Sequence, residues 1–340
     1  MTVVGAPTFY VVSGATVKDV IGDHRDQVFR AVETAYRLHS AGDSINPDSY
    51  FLRYPDKPRN RIIALPAHLG GGVQKSGIKW ISSFPENTAA NLARASAVQI
   101  LNDATTGYPI ACIEASLISA TRTAASAAWA AEVLSPTPFA GSLCVVGTGV
   151  ISRATIEWLM FRNWRFDKVY LYDVNPGEAD QFRQWLRDAY AIEAEVKDSL
   201  ERAASEASLI VFATTALEPY VGDEQLFKQS PTVLHRSLRD ILPNVILASQ
   251  NIVDDVDHCL KARTSVHLAE IETGSRDFVS GTLVDAAEKR FELDFSRPRI
   301  FSPFGLGVLD LAVANFILDA AIRSDAAIAL PDFFSNSTRW

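Results

Sequence analysis

A short apolar run at residues 143–146 ends in Gly147-Thr148-Gly149-Val150-Ile151-Ser152, and helical spacing follows over residues 151–163. A buried strand entering a helix through two glycines one residue apart fits few folds, and a parallel α/β sheet fits best. The rhythm continues: strand 168–172, helix 176–190 and strand 209–213, then strands at 232–237 and 245–248 and a helix over 253–262. Strand, helix, strand in alternation predicts a parallel sheet covered by helices. At the turn, Gly147 would permit a tight bend, and Gly149 would let backbone approach a pyrophosphate at the helix N-terminus. Ser152 replaces the usual third glycine and is small enough for close packing. Taken alone, the glycines also fit an ordinary strand-to-helix turn. Asp173 decides between the readings, because it ends the next strand 24 residues beyond Gly149, near the offset at which an acid binds a ribose 2′-hydroxyl. Residues 174–176 are Val, Asn and Pro, with no arginine for a 2′-phosphate, so the expected cofactor is NAD. Thr214 and Thr215 follow strand 209–213, at the strand end where such sheets bind ligands.

Outside this region the pattern differs. Residues 16–41 read as one amphipathic helix opened by Thr16 and Asp19 as a capping pair. Strands are expected at 50–54, 61–65, 78–81, 97–102 and 110–113, followed by an alanine-rich helix over 119–134. The last helix, 309–323, is expected to return to this first region. A chain of 340 residues suggests two domains. The expected architecture is α/β: a Rossmann-like NAD-binding domain, residues 131–305, inserted in an α+β domain built from residues 1–130 and 306–340.

The net charge of −8 argues against a nucleic-acid or anionic-membrane partner, since both need a basic face. Residues 133–152 carry no charge but hold two prolines and three glycines, so they read as loop, strand and loop rather than a membrane span. The start has no basic leader segment, and Cys112, Cys144 and Cys259 form no CxxC pair; both fit a cytoplasmic protein without structural disulfides. Cys112 is expected to be buried and inert. Asp254, Asp255, Asp257 and His258 read as a helix cap and a solvated turn, and no metal is expected. His68 and His235 read as core residues or as groups behind a pocket; Trp80 and Phe84 fit either a pocket wall or the core.

Several segments together resemble the ornithine cyclodeaminase and mu-crystallin family: GIKW at 77–80, DATTGYP at 103–109, SATRTAA at 119–125, GTGVIS at 147–152 and FSPFGLGVLD at 301–310. Within that family, KWISSFPEN at 79–87, RASA at 94–97, EAS at 114–116, SLRD at 237–240, NIVDDVDH at 251–258 and GSRDFVSG at 274–281 resemble the dehydrogenases that supply 2,3-diaminopropionate for staphyloferrin B.

The resemblance implies a homodimer formed through the domain built from the chain ends. It also implies NAD-dependent oxidation of N-(2-amino-2-carboxyethyl)-L-glutamate to L-2,3-diaminopropionate and 2-oxoglutarate, for a siderophore or peptide natural product. Asp240 and Lys79 fall on catalytic positions, and Arg53, Lys79, Arg122 and Arg239 are expected at the substrate. The loop around Arg53 differs in length from the family's, so Arg59 and Arg61 are its rivals, and Arg239 could instead pair with Asp240. The cofactor set becomes Gly147, Thr148, Gly149, Val150, Ile151, Asp173, Thr214, Thr215 and Ser237. A substrate with three carboxylates needs fixed cations, best supplied by arginine where a bidentate grip is wanted. A carboxylate such as Asp240 would stabilise the iminium formed as hydride leaves. As a helix cap near Leu242 and Pro243 it would have a structural role only. One departure stands out: ornithine cyclodeaminases carry a substrate-facing glutamate on the strand equivalent to residues 62–66, which here read Ile-Ile-Ala-Leu-Pro. That weakens ornithine as the substrate. The family's other activities, cyclodeamination, imine reduction and NAD(P)H binding without catalysis, are the competing expectations.

Overall fold

A computed structural model describes residues 7–334. The chain divides into two compact units: residues up to Arg122 with those from Leu306 onward, and Thr123–Gly305. The first boundary falls inside the helix Ser116–Leu134, eight residues before the position expected from the sequence.

Among the described residues, the first unit holds an eight-stranded mixed sheet. From one edge the strands run Ile328–Leu330, Phe9–Val12, Pro109–Glu114, Ala95–Asp103, Lys75–Ser83, Lys57–Leu69 and Ser44–Ile45, with Tyr50–Tyr54 also pairing with Lys57–Leu69. Alternation along Ala95–Asp103 shows how the faces differ: Ala97, Gln99 and Leu101 are buried, whereas Ser96 and Val98 are exposed. The buried face packs against the helix Gly307–Arg323, whose apolar residues are covered nearly all round. Cys112 corrects an expectation. It lies opposite Ile100 in the register, on the open face, and is only half-buried, because the inward positions of its strand go to Ala111 and Ile113. The expected single helix over 16–41 is two, Gly14–Asp23 and Arg25–Ser40, broken at His24, where φ is −129°. The first is capped by Ser13, which accepts from the Thr16 amide, so Thr16 is already inside the helix.

The second unit holds an eight-stranded sheet, parallel throughout, among the described residues. Its spatial order is Glu195–Val196, Arg165–Tyr172, Phe139–Val146, Leu209–Phe212, Thr232–His235, Arg299–Ser302, Gln250–Val253 and Val279–Thr282. The order reverses at Phe139–Val146, so a crevice opens beyond the strand ends between it and Leu209–Phe212. Arg299–Ser302 is buried at every position and inserts between two earlier strands, a placement absent from the sequence reading. Residues 245–248, expected as a strand, lie largely in the helix Pro243–Leu247, because Pro243 at the first helical position presets the backbone. The strand is Gln250–Val253. The expected helix over 253–262 shortens to Val256–Cys259, with Asp255 as its cap. No helix among the described residues is long and apolar enough to cross a membrane.

Candidate active site

In the second unit, Gly147 adopts φ +82°, and a Cβ there would lie 2.8 Å from the Ala213 carbonyl oxygen. Only glycine fits such a turn. Gly149 caps the helix Val150–Phe161 without a side-chain hydrogen bond, and a Cβ on it would meet open space. A helix N-terminus without a side-chain cap, with open space beside Gly149, is the arrangement that receives a pyrophosphate. Ser152 turns its hydroxyl back to the Gly147 carbonyl, which explains how serine serves at the third position. Asp173 Oδ2 accepts from the Thr148 amide at 2.8 Å and from Thr148 Oγ1 at 3.0 Å, while Oδ1 accepts from the Asn175 amide at 2.9 Å. The acid thus ties the next strand to the glycine turn and stands beside it. Val150 is exposed, Ile151 is half-buried, and Val174 beyond Asp173 is 90% exposed. The turn, the uncapped helix end and the adjoining acid fit NAD.

Thr214 Cα lies 3.1 Å from the Cβ position of Gly147, so the next cluster adjoins the turn. Thr215 beside it is exposed. Asp240 is fully buried. Its Oδ1 accepts from Thr214 Oγ1 and from the Tyr220 hydroxyl at 3.2 Å. Its Oδ2 accepts from Ser237 Oγ and lies 3.1 Å from His235 Nε2. Burial pushes this carboxyl up, but the bonds from His235, Ser237 and Thr214 outweigh it and hold Asp240 below the usual carboxylate range. Helix capping is not its role, since Leu242 stands at the cap of Pro243–Leu247. Leu238, two residues earlier, adopts φ +69°, rare outside glycine, and its carbonyl accepts from the Ser265 amide at 2.7 Å. His235 is buried and also meets Ser302 Oγ at 3.1 Å through Nδ1. Ser237, expected at the cofactor, is committed to Asp240. Arg239 donates from Nη2 to the Ala262 carbonyl at 2.9 Å.

In the first unit, Lys79 and Arg122 converge on an acid that sequence reasoning missed. Lys79 Nζ donates to Asp310 Oδ2 at 2.7 Å and to Ser119 Oγ at 3.1 Å, and Arg122 Nε donates to Asp310 Oδ1 at 3.2 Å. Lys79 is 2% exposed, Arg122 7% and Asp310 0%. Burial lowers the Lys79 pKa to about 8, with Asp310 opposing the shift and Arg122 adding to it. Gln99, directly opposite Lys79 across the strands, is buried with its Oε1 unpartnered. The signal for Asp310 was present: it is the lone charge between residues 306 and 318, on an otherwise apolar helix. Arg53 lies opposite Arg61, whose inward position on its strand matches that of Leu65, the cross-strand neighbour of Lys79. Arg53 and Arg61 therefore share the Lys79 face of the sheet. Arg53 is exposed and stacks 5.0 Å from the Phe51 ring centroid. Trp80 points to the other face, Tyr54 packs edge-on to Phe84, and His68 meets Ser76 Oγ at 3.0 Å. The Asp254–His258 cluster is spent on structure. Asp254 accepts from the Phe304 and Gly305 amides, Asp255 caps a helix, and Asp257 pairs with Arg276.

The fold and the glycine turn define a dinucleotide-binding α/β protein in which a parallel-sheet unit interrupts the chain of a mixed-sheet unit. The chain belongs to the ornithine cyclodeaminase/mu-crystallin family, whose model matches residues 15–229. It is 30% identical over 321 residues to the N-((2S)-2-amino-2-carboxyethyl)-L-glutamate dehydrogenase of Staphylococcus aureus (strain NCTC 8325 / PS 47), covering 91% of this chain and 94% of that protein. The alanine dehydrogenase of Archaeoglobus fulgidus is 25% identical over 322 residues, with 91% and 94% covered. Among solved structures, the Thermococcus litoralis Delta(1)-pyrroline-2-carboxylate reductase, in complex with NADH and L-proline, superposes with a TM-score of 0.85 at 22% identity, covering 94% of this chain and 99% of that one. That likeness establishes the fold.

Proposed function

We propose that the chain is an NAD-dependent oxidoreductase acting on a CH–NH donor. Its substrate is N-((2S)-2-amino-2-carboxyethyl)-L-glutamate, which it converts with NAD and water to L-2,3-diaminopropionate, 2-oxoglutarate, NADH and a proton. One observation carries this reading: two buried cations, Lys79 and Arg122, share the single acid Asp310. The excess positive charge is costly unless a carboxylate joins it. The unpartnered Gln99 oxygen beside Lys79 is a ready acceptor for a substrate N–H. Similarity to the staphylococcal dehydrogenase supports the particular substrate.

Bound NAD would supply the hydride acceptor, held by the turn Gly147–Ile151, Thr214 and Asp173. Lys79 and Arg122 grip a substrate carboxylate, with Arg53 and Arg239 as the further cations. Asp240 offsets the positive charge that grows on the substrate nitrogen as the C–H bond breaks. The first unit would also carry the contact between two copies in a homodimer. Its open sheet face bears Trp80, Val98, Ile100 and Cys112, and apolar side chains on such a face suit a partner.

The test mixes the protein with NAD and the synthetic conjugate while NADH and 2-oxoglutarate are both followed. They are expected to appear in equal amounts. Conversion of ornithine to proline with ammonia release, with the conjugate untouched, would overturn the assignment. Tight cofactor binding with no turnover of any amino acid would favour a binding protein.

A further inference from the structure

Asp240 has no exposed atom to offer a substrate, and an ionised carboxylate has about four acceptor positions. Thr214, Tyr220 and Ser237 donate to three of them, and His235 Nε2, which also lies 3.3 Å from the Asp240 amide, stands 3.1 Å from Oδ2 at the fourth. Whatever proton Asp240 gains or loses must pass through one of these groups. His235 is fully buried, Thr214 and Ser237 are half-buried, and Tyr220 is 46% exposed. Backbone pairing fixes that tyrosine: the Tyr220 and Val221 amides both donate to the Asp240 carbonyl, at 2.9 and 2.8 Å, and the Leu242 amide donates to the Val221 carbonyl at 2.9 Å. The hydroxyl is thereby held on the carboxylate while its oxygen keeps lone pairs for a second proton donor.

We propose that Tyr220 is a catalytic residue, whose hydroxyl carries protons between the buried Asp240 carboxylate and the reacting nitrogen and water. The inference rests on the proposed oxidation of a secondary amine. In the first step, the substrate ammonium gives one N–H proton to Tyr220 Oη as the Tyr220 proton passes to Asp240 Oδ1. Deprotonation leaves the neutral amine, the form from which bound NAD would accept hydride, and the Asp240 proton leaves to solvent by the same hydroxyl. In the second step, water forms a C–O bond to the iminium carbon, and its proton moves through Tyr220 to Asp240. That proton returns through Tyr220 to the nitrogen, the C–N bond breaks with its electron pair going to nitrogen, and the amine takes the remaining hydroxyl proton. One proton is released overall, as the stoichiometry requires. Burial, then the Asp240 charge, raises the Tyr220 phenol above its usual range, so it remains a donor at neutral pH. The titratable groups facing the pair are His235 at Asp240 and Tyr172 near Tyr220.

The test is Tyr220→Phe in the full-length protein, which keeps the ring and removes the hydroxyl. The expected loss in kcat is about 100-fold, typical of general acid–base groups, with KM and the NADH dissociation constant within about twofold of wild type. The solvent deuterium isotope effect on kcat is expected to rise, since proton transfer becomes limiting. A second readout needs no turnover: the ¹³C-NMR titration of the Asp240 carboxyl is expected to shift upward in the variant, which has lost one donor. A variant with kcat within threefold of wild type, or an unmoved Asp240 titration, would overturn the proposal. A joint drop in melting temperature and NADH affinity with an unchanged isotope effect would also overturn it, as a structural role. If the wild-type protein fails to turn over the conjugate, the substrate assignment falls, while the Asp240 titration still decides whether the pair exists.

Discussion

Lys79 is a cation whose burial can be read in two pH profiles. Its folded pKa of about 8 lies below the ordinary 10.5, so between those values the unfolded chain holds more protons than the folded one. The unfolding free energy attributable to Lys79 therefore rises with pH across that window, by roughly 3 kcal/mol. Urea melts of wild type and Lys79→Met, compared from pH 7 to 10.5, should diverge with this sign. Substrate binding should move the other way, because a neutral lysine no longer attracts a carboxylate. KM for the conjugate is expected to climb as pH passes about 8. Asp310 makes the complementary case. Asp310→Asn leaves Lys79 and Arg122 buried without their shared counter-charge, a loss of about 3–5 kcal/mol by analogy with broken buried pairs. Lys79→Met keeps the Arg122–Asp310 pair, so it should cost less stability than Asp310→Asn while still weakening substrate binding. Equal melts for Asp310→Asn and wild type would show that the acid is not the keystone of this cluster.

At the level of elements, the two glycines of the turn should separate fold from ligand binding. Gly147→Ala meets both a left-handed φ and the Ala213 carbonyl 2.8 Å away, so it is expected to lower the melting temperature and abolish NADH binding together. Gly149→Ala meets open space and should melt like wild type, yet its methyl enters the volume where backbone must approach the pyrophosphate. NADH fluorescence titration is expected to show affinity at least tenfold weaker in that variant; unchanged affinity would move the pyrophosphate elsewhere. The turn, Asp173 and the helix Pro176–Tyr190 were legible in the sequence because each is set by local chemistry: a positive φ, an acid at a strand end, a proline at a helix start. Residues 245–248 misled because a short apolar run has no period to distinguish strand from helix. The strand Arg299–Ser302 was missed because its place depends on neighbours far along the chain, Thr232–His235 and Gln250–Val253. The site divides in the same way. Lys79, Arg122, Asp240 and Asp310 all stood in recognisable motifs, but the pairing of Asp310 with the two cations did not. Asp310 meets Lys79 across 231 positions of sequence, and Tyr220 matters only because backbone pairing sets it on Asp240.

For the whole molecule, net charge and the open sheet face pull in opposite directions. Two chains of charge −8 repel at long range, so any association must come from apolar area. The face opposite Lys79 supplies it in ordered rows: Ala64, Trp80 and Val98 stand side by side across three strands, and Pro66, Ile78, Ile100 and Cys112 form the next row. Trp80 is 42% exposed and Val98 39%, whereas their strand neighbours Lys79 and Gln99 are buried against the helix side. A homodimer that covers these rows would bury on the order of 800 Å² per copy, the size of a standard specific interface. Trp80→Glu together with Val98→Glu places like charges on adjacent strands of that face without touching the Lys79 side. Light scattering after gel filtration is expected to give twice the chain mass for wild type and the single-chain mass for the double variant, with NADH affinity retained because the glycine turn lies in the other unit. Added salt should favour the wild-type dimer by screening the net charge. Cys112 supplies an independent reading, since its half-buried position on this face should make it slow to react with a thiol reagent in the dimer and fast in the double variant. A wild-type protein of single-chain mass with a readily modified Cys112 would show that this face stays open to solvent.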